Sequence, residues 1–540
     1  MMYGDFSRWS FDPQTNYSGI LHQQGRVLLD ADTNDQTLLQ LRWQEVAARD
    51  AFGECVLAVP VGERDAFKVS AVSLEGDDLR VSLLPGRAWA DGRLVHLRGD
   101  PSDLGGALSR LATGLQPPNS GDDQVVLLEV WRDAISAFQA PRELIEPALG
   151  GPDTTERVAT CFRLLAVPAA AGESCEEVAR RVQDDLRAPT RGRLTVTLAP
   201  TSVAGGDCPV FDHGGYAGLE HNLFLIEIAE VDPTPSPTGA GPYFKWSPVG
   251  GGLVGRGQIN ASGHFELRGG REAILRAGLH EVYVEILEPR PLRSPPVAGD
   301  RDAALAEHWQ VVYGAKATLS TEGSLIFSQD YFGTPPVAFA PRACRIWHGL
   351  RDISEFPVGL INASELRDGI RLQFDPSLTY VAGDRWSFSV RAGGLANPPV
   401  LLDDAPPTEI ARVRVPLARI RWQGQVAQID DCRRVFQPLT RQQTCCQLRV
   451  GDGVHSHGDF TSIQEALAHL PHEGGEICVL PGLYRESVLI DECRNLTIRG
   501  CGEQTRIAGE ADAPIFTVRD CKAVTIRDLN MRSGGEQRGI

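Results

Sequence analysis

The chain lacks the features that would place it in a membrane or on a nucleic acid. No run approaches the ~18 consecutive apolar residues of a membrane span. The opening Met1-Met-Tyr-Gly-Asp-Phe-Ser-Arg-Trp-Ser has neither the basic start nor the apolar stretch of a secretory leader. Positive charge is scarce: 53 Lys and Arg stand against 70 Asp and Glu, a formal charge of -17. That balance opposes contact with phosphate backbones and anionic lipid, so neither nucleic acid nor membrane insertion is expected. Twelve cysteines in 540 residues are too dilute for a disulfide scaffold and sit mostly in apolar runs, where a reduced thiol serves as a small hydrophobe. Synthesis and folding in the cytoplasm are the expectation.

Catalytic signatures are missing as well. There is no G-x-S-x-G elbow. The string Gly250-Gly-Gly-Leu-Val-Gly255-Arg-Gly257 is not followed by Gly-Lys-Ser/Thr, and Lys245 precedes it, so it reads as a β-turn and not as a phosphate loop. Asp30-x-Asp32-x-Asn34 starts like a calcium loop but has Asp35 and Leu41 where Gly and Glu are required. Cys432, Cys445, Cys446, His455 and His457 are the one group of metal-ligand types. Their spacing departs from C-x2-4-C, and adjacent cysteines on a strand face opposite ways, so a packed connector is the preferred reading. Between His213 and His221 there is no Ser, Thr or Cys nucleophile. No catalytic, cofactor or metal residues are assigned, and no cofactor is expected.

What is present is mostly strand. At 540 residues three or four domains are expected. Residues 34–50 read as a helix behind a Thr/Asn/Asp cluster suited to capping, with Leu38, Leu41 and Val46, flanked by Leu39 and Trp43, at helical spacing, and a second helix is expected near 174–187. Alternating runs with Gly/Asp turns, such as Leu79 to Gly92, and the apolar Gln124 to Trp131 read as strands. Pro/Gly-rich stretches at 232–241, 289–296 and 393–407 read as a loop and boundaries. The expected division is an attachment segment 1–54, a β-rich domain 55–290, a second β-rich subdomain 291–423, a connector 424–446 and a solenoid 447–540.

The solenoid is announced by a repeat. Val488-Leu-Ile-Asp-Glu-Cys493-Arg-Asn-Leu-Thr497-Ile498-Arg499 aligns with Phe516-Thr-Val-Arg-Asp-Cys521-Lys-Ala-Val-Thr525-Ile526-Arg527. Self-similarity at this period marks stacked coils that bury their apolar faces only against neighbours. Thr461 or Ser462 is placed to cap a short helix, with Gln464 or Glu465 completing a capping box and Ile463, Ala466, Leu467 and Leu470 on its apolar face. Such a helix would cover the first coil. Tyr484 is placed to pack over the Pro481-Gly482 turn. The repeat is expected to continue beyond Ile540, as the first part of a longer solenoid.

Six strings in order across 1–440 resemble a family of phage-tail-like proteins from contractile injection systems, most of it of unknown function. They are Gly4-Asp-Phe-Ser-Arg, Gln23-Gln-Gly-Arg-Val-Leu-Leu-Asp-Ala-Asp32, Ala148-Leu-Gly-Gly-Pro-Asp153, Gly214-Gly-Tyr-Ala-Gly-Leu-Glu220-His-Asn-Leu, Phe244-Lys-Trp-Ser247 and Gly383-Asp-Arg-Trp386. The chain departs from the pattern at Pro248-Val-Gly-Gly and at Arg385, where a tyrosine is expected; neither touches an obvious reactive residue. The C-terminal part resembles the opening of a pectin-lyase-like right-handed β-helix, through Gly451-Asp-Gly, Gly458-Asp-Phe-Thr-Ser-Ile-Gln-Glu-Ala-Leu467 and Val479-Leu-Pro-Gly482-Leu-Tyr484.

The resulting expectation is a mainly β, multi-domain body with few helices, followed by an N-terminally capped right-handed parallel β-helix truncated at its C-terminus. The resemblance implies a baseplate- or tail-associated fibre, spike or anchor protein. It would be a homo-oligomer bound to other subunits of the particle, with a cell-surface glycan as a possible further partner. The particle would be released or membrane-anchored after assembly. The alternative is a carbohydrate-active lyase or hydrolase, or a glycan-binding adhesin, acting through the β-helix groove. Asp491, Glu492, Asp520, Asp528, Arg499 and Arg527 are the charged groups in view there, and they read first as solvated turns. Whether the chain is an enzyme stays open, with the non-enzymatic reading preferred.

Overall fold

The computed structural model describes residues 2–532 apart from 76–77, 99–107, 113–122, 141–143, 147, 149–154, 187–191, 200–201, 205–209, 213–214, 233–241, 291–307, 360–363, 393–396, 409–410, 424–425, 439–447, 472 and 510–512. The chain is mainly β and separates into two compact units, Met1–Phe436 and Gln437–Ile540.

The first unit holds three large cores. One lies among three sheets: strands Leu57–Pro60, Gly86–Ala90, Arg93–Leu97 and Arg434–Phe436; strands Val69–Glu75, Asp78–Leu83 and Leu108–Ala112; and strands Asp123–Ile135, Arg157–Pro168, Val413–Gln423 and Val426–Asp431. The second packs the sheet of Asn222–Ile228, Tyr243–Ser247, Gly349–Asp352 and Arg385–Val390 against that of Leu194–Leu198, Glu365–Arg367, Ile370–Phe374 and Val400–Ala405. The third fills a closed six-stranded barrel built from Leu253–Ile259, Phe265–Gly269, Glu281–Arg290, His308–Leu319, Ser324–Gly333 and Arg342–Trp347.

These sheets interleave what the sequence divides at residue 290. Asp123–Ile135 pairs with Val413–Gln423, Asn222–Ile228 with Arg385–Val390, and the barrel crosses the division. Within the expected connector, Val426–Asp431 and Arg434–Phe436 are strands of the first unit, the latter parallel to Leu57–Pro60. Apolar alternation marks a strand but carries no information about which distant strand completes its sheet.

Helix α1 spans Asp30–Phe52. Its buried residues are Ala31, Leu39 and Ala48, whereas Trp43 and Val46, also at helical spacing, are 73% and 42% exposed. Helix α2, Cys175–Leu186, falls where the spacing predicts it and packs Val178 and Ala179 on Val125 and Leu127. Helix α3 spans Arg271–Arg276. Cys175 of α2 is disulfide-bonded to Cys432. The dilute cysteines gave no sign of this pairing, because the fold brings together residues 257 apart in the chain.

The second unit stacks parallel strands. Leu448–Val450, Gly475–Val479, Arg494–Ala508 and Lys522–Arg532 pair in that order, Gly482–Arg485 pairs with the second half of Arg494–Ala508, and Val488–Asp491 pairs with Phe516–Arg519. The aligned repeat stands in register: Thr497 beside Thr525, Ile498 beside Ile526, Arg499 beside Arg527. Ile477, Ile498 and Leu496 are buried in one core with Ile463 and Ala466 of helix α4, Ile463–Ala468. Ser462 caps α4 by accepting from the Glu465 N–H, as expected. Glu486, which the sequence did not flag, accepts from the Ile463 and Gln464 N–H groups and the Ser462 hydroxyl. Tyr484 is buried, and its hydroxyl donates to the carbonyls of Val450 and Leu480 across the Pro481-Gly482 turn.

Candidate functional site

The site grows from charges that strand register places opposite one another. Glu227 lies beside Lys245 on one neighbouring strand and beside Arg385 on the other. On the barrel, Glu285 lies beside Arg345. All five are buried, which is tolerable only if the charges find partners. Lys245 Nζ is 3.0 Å from Glu227 Oε1 and also contacts Glu285 Oε1, linking sandwich to barrel. Arg385 Nη2 is 3.2 Å from Glu227 Oε2, and Trp347 Nε1 donates to Glu285 Oε2 at 2.8 Å.

The N-terminal arm completes the network. The Tyr3 hydroxyl donates to Glu227 Oε2 at 2.8 Å and accepts from Arg385 Nη2 at 3.0 Å. The guanidinium carbons of Arg345 and Arg385 stand 3.7 and 4.5 Å from the centre of its ring, a cation–π contact from two cations. The Gly4 N–H donates to the Gly250 carbonyl at 2.7 Å. A Cβ on Gly251 would lie 2.5 Å from Tyr3 Cδ1. The glycine string read as a β-turn is a turn only at Gly250 and Gly251, whose missing side chains let the arm lie against it, and from Leu253 onward it is a strand of the barrel.

Burial governs the titration here and the partners oppose it in part. The Tyr3 phenol is pushed up to about 12, chiefly by burial. For Glu227 burial acts upward, but Arg385, Lys245 and the Tyr3 hydroxyl outweigh it and hold the carboxyl below its ordinary value. For Lys245 burial acts downward and is outweighed by Glu227 and Glu285, so the ammonium is stabilised. All three groups are thereby held in the protonation states that bond one another.

Beyond Tyr3 the arm runs along α1. Asp30 accepts from the Ser7 N–H at 2.9 Å and the Ser7 hydroxyl at 2.6 Å, Ser10 donates to Asp35 at 2.5 Å, Arg8 lies 3.4 Å from Asp32, and Arg42 donates to the Pro13 carbonyl. The acidic string that begins like a calcium loop is thus the first turns of a helix, where carboxylates also favour the helix dipole. Ile20 N–H donates to Gln36 Oε1 as the chain returns. Between arm, α1 and the start of the Arg157–Pro168 strand lies a cleft of about 550 Å³, lined among others by Phe6, Trp9, Asp30, Asn34, Thr37 and Glu156. Phe6 and Trp9 are 5.7 Å apart. The described lining offers rings, hydroxyls, an amide, carboxylates and the guanidinium of Arg157, with no histidine, lysine or cysteine. This chemistry suits hydrogen-bonded or ring-stacked contacts.

The residues weighed in the sequence have other partners or lie outside the described residues. Cys432 is disulfide-bonded, His455 Nδ1 contacts Asp452 Oδ2 at 2.8 Å, and Cys445 and Cys446 lie outside the described residues. His213 also lies outside them, and His221 accepts from the Ala392 N–H. Glu492, Asp520 and Asp528 have positive φ, the last of them within the strand Lys522–Arg532, and Asp528 lies 3.5 Å from Arg499. The sequence did not single out Glu227, Glu285 or Arg345. It passed over Arg385 as a departure from the family pattern. A signal existed: each of these charges interrupts an apolar strand, which is uncommon without a partner.

Residues 2–191, about a third of the chain, match a family of unknown function, DUF6519. No curated protein matches, and no solved structure does. Every residue lining the cleft falls within the matched segment, while the charges that receive Tyr3 come from beyond it.

Proposed function

We propose that this chain is a structural subunit of a phage-tail-like contractile particle, attached through its N-terminal segment. The observation that carries the reading is the state of residues 17–29 and α1. Tyr17, Leu21, Val27, Leu28, Leu29, Trp43 and Val46 are all exposed, on a segment that hydrogen bonds and ion pairs pin at both ends. Large apolar side chains gathered on a fixed element are what an interaction surface requires. The six strings in tail-protein order support the choice of particle, and the stacked parallel strands of the second unit support a right-handed β-helix acting as a fibre, spike or anchor.

The test is mass spectrometry and electron microscopy of native particles from the source cells. A fixed ratio of this chain to sheath and tube proteins, with density at the baseplate or tail, is the expected result. Recovery only as a free protein overturns it.

A further inference from the structure

The repeat sets one cysteine of the second unit on another, 28 residues on. Cys493 and Cys521 sit at the corner between two parallel ladders: Asp491 beside Arg519 ends one, and Arg494 beside Lys522 begins the next. The corner repeats its backbone as well. Glu492 and Asp520 both have a φ of +48°, and Asn495 and Ala523 have φ of +52° and +62°. Register on both sides and the same turn in each coil point the two side chains the same way, one strand spacing of about 4.8 Å apart. Bridged cysteines have Cα atoms about 4.4–6.8 Å apart.

Contacts at the corner bring the sulfurs together. The Cys493 N–H donates to Cys521 Sγ at 3.3 Å, and the Lys522 N–H donates to the Cys493 carbonyl at 2.8 Å. The Cys521 thiol reaches the Arg519 carbonyl at 2.9 Å and that of Ile490, on the preceding coil, at 3.5 Å. Burial, and after it the neighbouring Cys521 thiol, push the Cys493 thiol up. Both are free thiols in this structure, half-buried at the edge of the core, so a small reagent reaches them. Packing alone asks only for a small apolar group here. The unit already uses disulfide chemistry, since Cys478 on the neighbouring strand Gly475–Val479 is disulfide-bonded.

From this we infer that Cys493 and Cys521 are a disulfide-forming pair, a redox clasp between two successive coils of the solenoid. The oxidant is a small-molecule disulfide. One protein thiolate attacks a sulfur of it, releasing one small thiol and leaving a mixed disulfide; the second protein thiolate attacks the protein sulfur of that bond and releases the other. Two protein thiols are oxidised, one disulfide is reduced, and the two protons pass to the released thiols. The clasp closes a loop of one coil and locks a stack that is assembled reduced once it meets an oxidising compartment. Nothing in it depends on the structural-subunit reading.

The experiment uses the full chain. It is equilibrated with glutathione disulfide and glutathione at graded ratios, remaining thiols are alkylated, and peptides are mapped by mass spectrometry. Arg499 and Arg519 let a protease separate the two cysteines. Because the second step is intramolecular, the linked Cys493–Cys521 peptide is expected to exceed the form carrying glutathione on both residues by more than about tenfold. Cys501, free and exposed in the same unit, is the internal control and should carry glutathione without a link to either. Oxidation is expected to raise the melting temperature of the second unit in the wild type and to leave it unchanged in Cys493→Ala and Cys521→Ala. The mapping needs only the wild type, so it stands even where a variant folds poorly. Glutathione on both cysteines without the link, both thiols reduced while Cys501 is modified, a link found only between two chains, or a linked form that melts no higher than the reduced one overturns the inference.

Discussion

Glu227 and Lys245 face each other across adjacent antiparallel strands, 3.0 Å apart and each only 5% exposed at the side chain. Removing one member leaves the other buried with one counter-charge fewer, Glu227 keeping Arg385 and Lys245 keeping Glu285, at a cost of up to about 3–5 kcal/mol. Glu227→Gln and Lys245→Met are both expected to lower the denaturation midpoint of the first unit in urea by that order. A loss below about 1 kcal/mol in both would show that water reaches the pair.

The same pair dictates an acid limb. The Glu227 carboxyl sits below its ordinary value in the folded protein because Arg385, Lys245 and Tyr3 outweigh burial. Its stabilisation is therefore complete above the unfolded value, near 4.5, and is lost as pH falls through the folded one. Stability measured between neutral pH and the acid region should fall less steeply in Glu227→Gln than in the wild type. Parallel curves below pH 4.5 would assign the acid limb to other carboxylates.

Tyr3 separates hydrogen bonding from ring packing. Tyr3→Phe keeps the ring between Arg345 and Arg385 and removes the hydroxyl that serves Glu227, an expected loss of about 1.5–3 kcal/mol for a bond to a charged group. Tyr3→Ala should cost more and expose residues 1–29 to protease. Equal losses in the two variants would mean that the ring contacts contribute nothing.

Gly251→Ala tests the seat of the arm. Its φ of +117° disfavours any side chain, and the new Cβ would collide with Tyr3. Faster proteolysis within the first 29 residues is expected, with the barrel core unchanged by hydrogen exchange. Gly263→Ala, also at positive φ but with open space around it, is the control for strain alone. If both variants resist protease like the wild type, the arm does not depend on the glycine.

The two units should melt separately. Ile498 is fully buried in the second unit, so Ile498→Ala is expected to destabilise residues 437–540 by about 2–5 kcal/mol and leave exchange in the first unit unchanged. Truncation after Phe436 should yield a folded protein. Loss of protection throughout the first unit in either variant would show that the units fold as one.

The disulfide offers a separate handle. Cys175 and Cys432 tie α2 to the segment between the last two strands of the first unit. Reduction is expected to lower stability by about 2–4 kcal/mol, read as a shift in melting temperature with thiol alkylation mapped by mass spectrometry. Alkylation of both residues in protein kept non-reducing from lysis onward would show that the bond does not form.

By itself the sequence determined what local chemistry dictates: the mainly β class, α1 and α2, the capped α4, and the register of the repeat, where Thr497, Ile498 and Arg499 meet their counterparts 28 residues on. Period, caps and self-similarity act over one element or one coil, so they are legible along the chain. Tertiary structure decided the rest. Pairing of Asn222–Ile228 with Arg385–Val390 turns Arg385 from a departure in a motif into the partner of Glu227 and Tyr3. The same pairing of distant segments erases the division at residue 290, joins Cys175 to Cys432, and leaves Trp43 exposed on a helix that buries Leu39. The physical reason is common to all four: a strand or helix shows in its own residues that one face must be covered, but which distant segment covers it depends on the closure of the whole chain.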